Sequence, residues 1–188
     1  MPLITIEKAE KFYDGWSKCY LLHLLDRQGR RRTYQIEDHG AVASVLPYDP
    51  ERKVAILVYQ VRPPLIFAGE TERLYEAPAG VIETEGAEEC ARREALEEAG
   101  VAVTTLEYLG SFWAAPGIST ERSSIYLAPY SIADRVTEGG GLAAEHEDIE
   151  VHELPLSQLA EMADSFQISC MKTFVAIQAL RQRRPELF

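Results

Sequence analysis

The chain is short of several things, and each shortage removes a class of function. No apolar run approaches the roughly 20 residues needed to cross a bilayer. The opening Met1-Pro2-Leu3-Ile4-Thr5-Ile6-Glu7-Lys8 has no basic region leading into an apolar stretch, so no signal peptide and no membrane partner are expected. Cysteine is scarce: Cys19, Cys90 and Cys170 are widely spaced and form no CxxC pair. An odd number of thiols without a disulfide framework indicates a reducing, cytoplasmic setting, and structural burial is expected of each. Basic residues are in deficit, 19 against 30 acids, for a net charge of −11. That argues against nucleic acid as a partner, because phosphate backbones select basic surfaces. There is no internal repeat and no long low-complexity segment.

What is present suits one domain with a small appendage: 188 residues, 46% hydrophobic and 9% aromatic, enough to bury a sizeable core. Residues 3–12, 17–25 and 31–36 read as strands, the last two around the turn Asp26-Arg27-Gln28-Gly29-Arg30, and together make a small antiparallel sheet over 1–40. The main body, 41–188, begins with the apolar run 41–48 and the turn Asp49-Pro50-Glu51-Arg52. Val54 to Val61 is a continuous apolar, β-branched run, expected as a buried strand. Further strands are expected over 73–77, 106–112, 123–128 and 149–154. Helices are expected over 87–99, from Pro155-Leu156-Ser157 onward with Ser157 as N-cap, and over 169–183. The stretch 137–147, with Gly139-Gly140-Gly141 and several acids, is expected to be a mobile surface loop.

The most informative segment begins at Gly80 and ends at Val101. Glu94, Glu97 and Glu98 lie three and four apart, on or beside one helical face. Like charges at that spacing cost a helix about 0.2–0.5 kcal/mol per pair. A solvated helix has no use for that repulsion, although its i,i+4 pairs such as Glu89/Arg93 and Arg93/Glu97 would suit an exposed face. A hard divalent cation does, since Mg²⁺ takes carboxylate oxygens together with substrate phosphates. Pro78-Ala79-Gly80 allows close backbone approach to a ligand. Ala87, Ala91, Ala95 and Ala99 make a narrow face for seating the helix on a sheet, and Gly100 is placed to stop it.

This segment resembles the Nudix box: Gly, five residues, Glu, seven residues, then Arg-Glu-U-x-Glu-Glu-x-Gly-U, with U bulky and apolar. Gly80, Glu85, Arg93, Glu94, Glu97, Glu98, Gly100 and Val101 match. Two departures stand out. Only four residues separate Gly80 from Glu85, which leaves Glu83 as a competitor for its role, and Ala95 is small where a larger aliphatic is usual. The resemblance implies an α/β fold: a Nudix-type α/β/α sandwich with a mixed sheet, preceded by the small N-terminal antiparallel sheet. It also implies Mg²⁺, with Mn²⁺ as the alternative, held by Glu94, Glu97, Glu98 and the Ala79 carbonyl. Arg93 is expected to hold Glu94 or Glu97 in place.

Outside the box, Ala115-Pro116-Gly117 looks like the Ser-Pro-Gly loop of ADP-ribose pyrophosphatases, with Pro116 fifteen residues beyond Val101. In that group Glu121 matches a glutamate that contacts substrate, and Arg62 of Gln60-Val61-Arg62 matches a substrate-binding arginine. Glu145-His146-Glu147-Asp148 is similar to an acidic loop that supplies one more carboxylate; Glu147 is aligned with it as catalytic base and metal ligand, with Glu145 one register away. The resemblance further implies a homodimer in which N-terminal strands swap and complete the base site, where Trp16 and Arg32 would contribute. Packing of Trp16 in the interior is the competing expectation. Ala79 and Gly80 would approach the substrate through their backbone. The implied activity is Mg²⁺-dependent hydrolysis of a nucleoside diphosphate linked to a small molecule. ADP-ribose, giving AMP and ribose 5-phosphate, comes first. The alternative is GDP-mannose or another nucleotide sugar, and a Nudix-like ligand sensor comes last.

Overall fold

The computed structural model describes residues 2–142 and 148–188. Its backbone divides into two compact units, residues 1–41 with 113–122, and residues 42–112 with 123–188.

In the first unit β1 (Ile4–Asp14), β2 (Lys18–Asp26) and β3 (Arg31–Asp38) form an antiparallel sheet in that order. The β2–β3 turn is the expected one. Asp26 Oδ1 accepts the backbone N–H of Gln28 and of Arg30, each at 2.9 Å, and Gly29 supplies the left-handed residue (φ 76°). The segment 113–122 is tied to β3 by bonds from Glu37 N to the Ile118 carbonyl (2.8 Å) and from Thr120 N to the Glu37 carbonyl (3.0 Å).

The second unit is built on a seven-stranded sheet. Its strands are β4 (Ala41–Asp49), β5 (Val54–Val61), β6 (Arg73–Glu76), β7 (Ala79–Val81), β8 (Glu107–Trp113), β9 (Arg122–Pro129) and β10 (Ile149–Pro155). The main path runs β10-β5-β4-β9-β8, with β6 paired to β5 and β7 to β4. The helices are α1 (Pro63–Ala68), α2 (Ala87–Glu97), α3 (Leu156–Asp164) and α4 (Met171–Arg183). Successive strand residues point to opposite faces, and the apolar runs fill both. Leu46, Tyr48, Ala55, Leu57, Ile125 and Leu127 pack against α3 and α4. Ala43, Val45, Ile56, Tyr126 and Ala128 pack against Cys90, Ala91 and Ala95 of α2. The expected sandwich around a mixed sheet is therefore the fold observed, and the alanine face seats α2 on the sheet.

Several expectations need correction. Helix α3 begins one residue before Ser157, with Pro155 at the N-cap and no side-chain cap; proline's fixed φ suits a helix start without one. The Gly80 turn contains a short strand, β7. Helix α1 had no counterpart in the sequence reading; Pro63 opens it, left-handed Gly69 (φ 76°) closes it, and none of its residues is buried. Of the three cysteines only Cys90 is buried, while Cys19 and Cys170 are intermediate. No helix among the described residues is long and apolar enough to cross a membrane.

Candidate active site

Helix α2 presents its acids beside the Ala79–Gly80 turn. Glu98 is 3% exposed and accepts the Ala79 backbone N–H at 2.9 Å through Oε2. Glu94 is 6% exposed and lies so close to Gly80 that a Cβ there would collide with its Oε1. Any side chain at this position would have to displace the carboxylate it faces.

Arg93 gathers the rest. Its Nη1 donates to Glu94 Oε1 (2.6 Å) and Glu97 Oε2 (3.0 Å), and its Nη2 to Glu85 Oε1 (3.0 Å). Burial works against its charge, but the bonds to Glu85 and Glu97 and the Glu94 charge outweigh it, so the guanidinium stays protonated. Glu85 therefore is the loop acid that meets the helix, and the competing Glu83 is exposed. Bonds to backbone N–H groups and to Arg93 keep the Glu85 carboxyl below the usual range. Beneath the turn, the Cys90 thiol lies 3.6 Å from the carbonyls of Gly80 and Val81. Burial pushes its pKa up to about 11, a structural thiol rather than a nucleophile.

The far end of α2 is clamped. Gly100 is left-handed (φ 74°) and turns the chain so that Val101 N reaches the Ala95 carbonyl at 2.9 Å. The described part of the glycine-rich stretch bonds onto the carbonyls this leaves open. Gly140 N donates to the Glu98 carbonyl (2.9 Å) and Gly141 N to that of Glu97 (3.0 Å). Gly139 (φ 71°) packs so tightly that a Cβ would strike the Glu98 carbonyl oxygen. Residues 137–142 are thus anchored to the acidic helix. Glu145 and Glu147 lie outside the described residues. Just after them, Arg73 Nη2 holds Asp148 at 2.8 Å and Nη1 pairs with Glu150.

Arg62, the residue after β5, donates through Nε to Glu76 Oε2 at 2.6 Å. Lys172 donates to Glu76 Oε1 at 2.8 Å. Burial opposes the Glu76 charge, yet Lys172 and Arg62 together hold its carboxyl below the usual value. Glu76 and Lys172 went unnoticed in the sequence, where no spacing links positions 96 residues apart.

The other sequence candidates belong to the first unit. Trp16 is 84% exposed, against the expectation of interior packing, with its ring 4.4 Å from that of His39. His39 in turn lies 4.0 Å from Glu121. Arg32 is exposed on β3, paired in register with Leu24. Nearby in the chain, the Tyr34 hydroxyl fixes the Pro-Gly loop by donating to the Gly117 carbonyl at 2.5 Å.

The donor set around Ala79–Gly80 is made of hard oxygens, the kind that Mg²⁺ takes. Among the described residues no three acids, histidines or cysteines surround a single point, and Arg93 Nη1 sits between Glu94 and Glu97. The donors fit the ion by chemistry.

Comparisons with known proteins place the chain in a family. The NUDIX domain family pattern matches residues 38–174. The chain belongs to that family. It is 35% identical over 176 residues to a GDP-mannose pyrophosphatase of Cronobacter sakazakii, covering 93% of this chain and 91% of that one. A GDP-mannose pyrophosphatase of Pectobacterium atrosepticum is 38% identical over 182 residues, with 94% and 93% covered. A crystal structure of an ADP compounds hydrolase superposes with a TM-score of 0.78 over 99% of this chain and 96% of that one, at 19% identity. That likeness concerns the fold.

Proposed function

We propose that this NUDIX protein hydrolyses the pyrophosphate bond of nucleoside diphosphate sugars, with GDP-mannose as first substrate. The observation that carries this reading is the pair of buried carboxylates, Glu94 and Glu98, held against the Ala79–Gly80 turn. They occur in a chain 35–38% identical to GDP-mannose pyrophosphatases over more than nine-tenths of its length. The ADP-ribose reading keeps its support from the Pro116-Gly117 loop, whose backbone is fixed to β3.

Glu94, Glu98 and the Ala79 carbonyl would hold Mg²⁺, with Glu97 completing the cluster. When bound, the ion neutralises diphosphate charge and makes a water more acidic. The chain's own groups do the remaining work. Gly80 leaves room for the Glu94 carboxylate, and the Gly140 and Gly141 amides fix the helix end from which Glu97 and Glu98 project. Arg93 keeps Glu94 and Glu97 oriented, as supporting groups do around metal ligands. Arg62 offers a planar donor edge to a phosphate oxygen. Glu147 is assigned on sequence grounds to orient or deprotonate the water. Hydrolysis adds water across P–O–P, giving a nucleoside monophosphate and a sugar phosphate.

A homodimer with exchanged N-terminal strands over 1–40 fits the apolar side chains that the first unit leaves uncovered. Ile6, Phe12 and Tyr13 are each more than half exposed. Trp16, Arg32 and Glu121 would then serve base and sugar recognition, and the sequence argues for a cytoplasmic enzyme. A panel of nucleoside diphosphate sugars with Mg²⁺ and product identification tests the reading. GMP and mannose 1-phosphate from GDP-mannose are expected. AMP and ribose 5-phosphate as the faster pair would favour the ADP-ribose reading, and no phosphorylated product from any substrate would overturn both.

A further inference from the structure

Four carboxylates are buried among the described residues: Asp49, Glu76, Glu94 and Glu98. Asp49 is spent on its own turn, accepting the N–H groups of Glu51 and Arg52 at 2.9 and 3.0 Å. Glu94 and Glu98 belong to the acidic cluster. Glu76, at 4% exposure, has no part in that cluster, and a buried charge persists only when it is paired. It is paired twice, with Arg62 on one oxygen and Lys172 on the other, and the Cys170 thiol lies 3.4 Å from the second oxygen. Its two oxygens are engaged from different segments, by Arg62 just after β5 and by Lys172 on α4, which restrains the carboxylate.

Two cations around one carboxylate leave the group with a net positive charge. Arg62 is held through Nε alone; among the described residues its terminal nitrogens make no hydrogen bond within the chain, and its side chain is 39% exposed. Guanidinium groups grip phosphate oxygens through such an edge. The charge of Glu98 is also felt at Arg62, which places this edge within electrostatic reach of the acidic cluster.

We propose that Glu76 is a positioning residue for substrate: it fixes Arg62 by Nε, with Lys172 locking the carboxylate, and so reserves the arginine's terminal nitrogens for an anionic oxygen of the diphosphate. This rests on the pyrophosphatase reading above. Glu76 touches no substrate and acts through Arg62. A purely architectural Glu76, joining β5, β6 and α4, would affect melting without affecting how Arg62 contributes to binding.

The test is a kinetic cycle on the full-length protein with Mg²⁺ and the best nucleotide sugar of the panel. It compares wild type, Glu76→Gln, Arg62→Ala and the double variant, with melting temperatures alongside. Glu76→Gln should raise KM by about tenfold or more with a smaller change in kcat, and the double variant should have the KM of Arg62→Ala. Glu76→Asp keeps the charge and should give an intermediate KM; if Glu76→Gln does not fold, the same cycle is run with it. Effects on KM that multiply in the double variant, or an unchanged KM with only a lowered melting temperature, would overturn the proposal. A wild type inactive on every nucleoside diphosphate sugar would instead overturn the reading beneath it.

Discussion

Strands β1 and β4 are similar in length and opposite in surroundings. Of the nine residues of β4, all but the first are buried; of the eleven in β1, ten are exposed and one is intermediate. The sheet containing β4 is covered on both faces by helices that bury apolar side chains against it. The sheet containing β1 leaves Ile4, Ile6, Phe12 and Tyr13 in the open. Burial is thus concentrated in the unit that carries Glu94 and Glu98, while the other unit leaves apolar side chains exposed.

Truncating the covered sheet should cost most. Leu127→Ala removes a fully buried side chain and should lower unfolding free energy by about 2–5 kcal/mol in a denaturant titration. A loss below 1 kcal/mol would erase the contrast between the units. Glu98→Gln should reduce kcat by about 100-fold or more with an unchanged far-UV spectrum. Gly139→Ala forces a Cβ at φ 71° against the Glu98 carbonyl. Strain of about 1–3 kcal/mol is expected, with a roughly tenfold fall in kcat if the clamp positions Glu98. Acid should weaken the covered unit in part through Glu76, whose folded pKa is depressed. Its contribution is present above the unfolded value of about 4.5 and is lost as pH falls through the lower folded value; in Glu76→Gln that part of the acid transition should disappear. Ile6→Thr should have the smallest effect on intrinsic stability, within about 0.5 kcal/mol, while shifting a sedimentation profile from dimer toward monomer.

Much of the fold was legible because apolar periodicity and turn chemistry agree locally. The Asp26 and Asp49 turns, the alanine face of α2 and the stop at Gly100 are each set by a few neighbouring residues. The box was legible for the same reason: Arg93 and its acids fall within one helix and one short loop. Glu76, Lys172 and the glycine clamp were not, since they unite segments brought near only by the sheet and by the return of the chain past α2. Helix α1 escaped because Pro63-Pro64 reads as a break, yet proline is well suited to a helix's first turn. Trp16 shows the limit of composition, which favours burying a tryptophan, whereas its strand connection leaves it exposed.

The claim on which the rest depends is that the acids of α2 serve a divalent cation acting on a phosphoanhydride. Turnover of GDP-mannose should therefore be followed in wild type and Glu98→Gln while Mg²⁺ is titrated and then chelated. The account predicts release of GMP and mannose 1-phosphate that rises with Mg²⁺, stops on chelation and is nearly absent in the variant. Equal turnover by both proteins, unaffected by chelator, would contradict it.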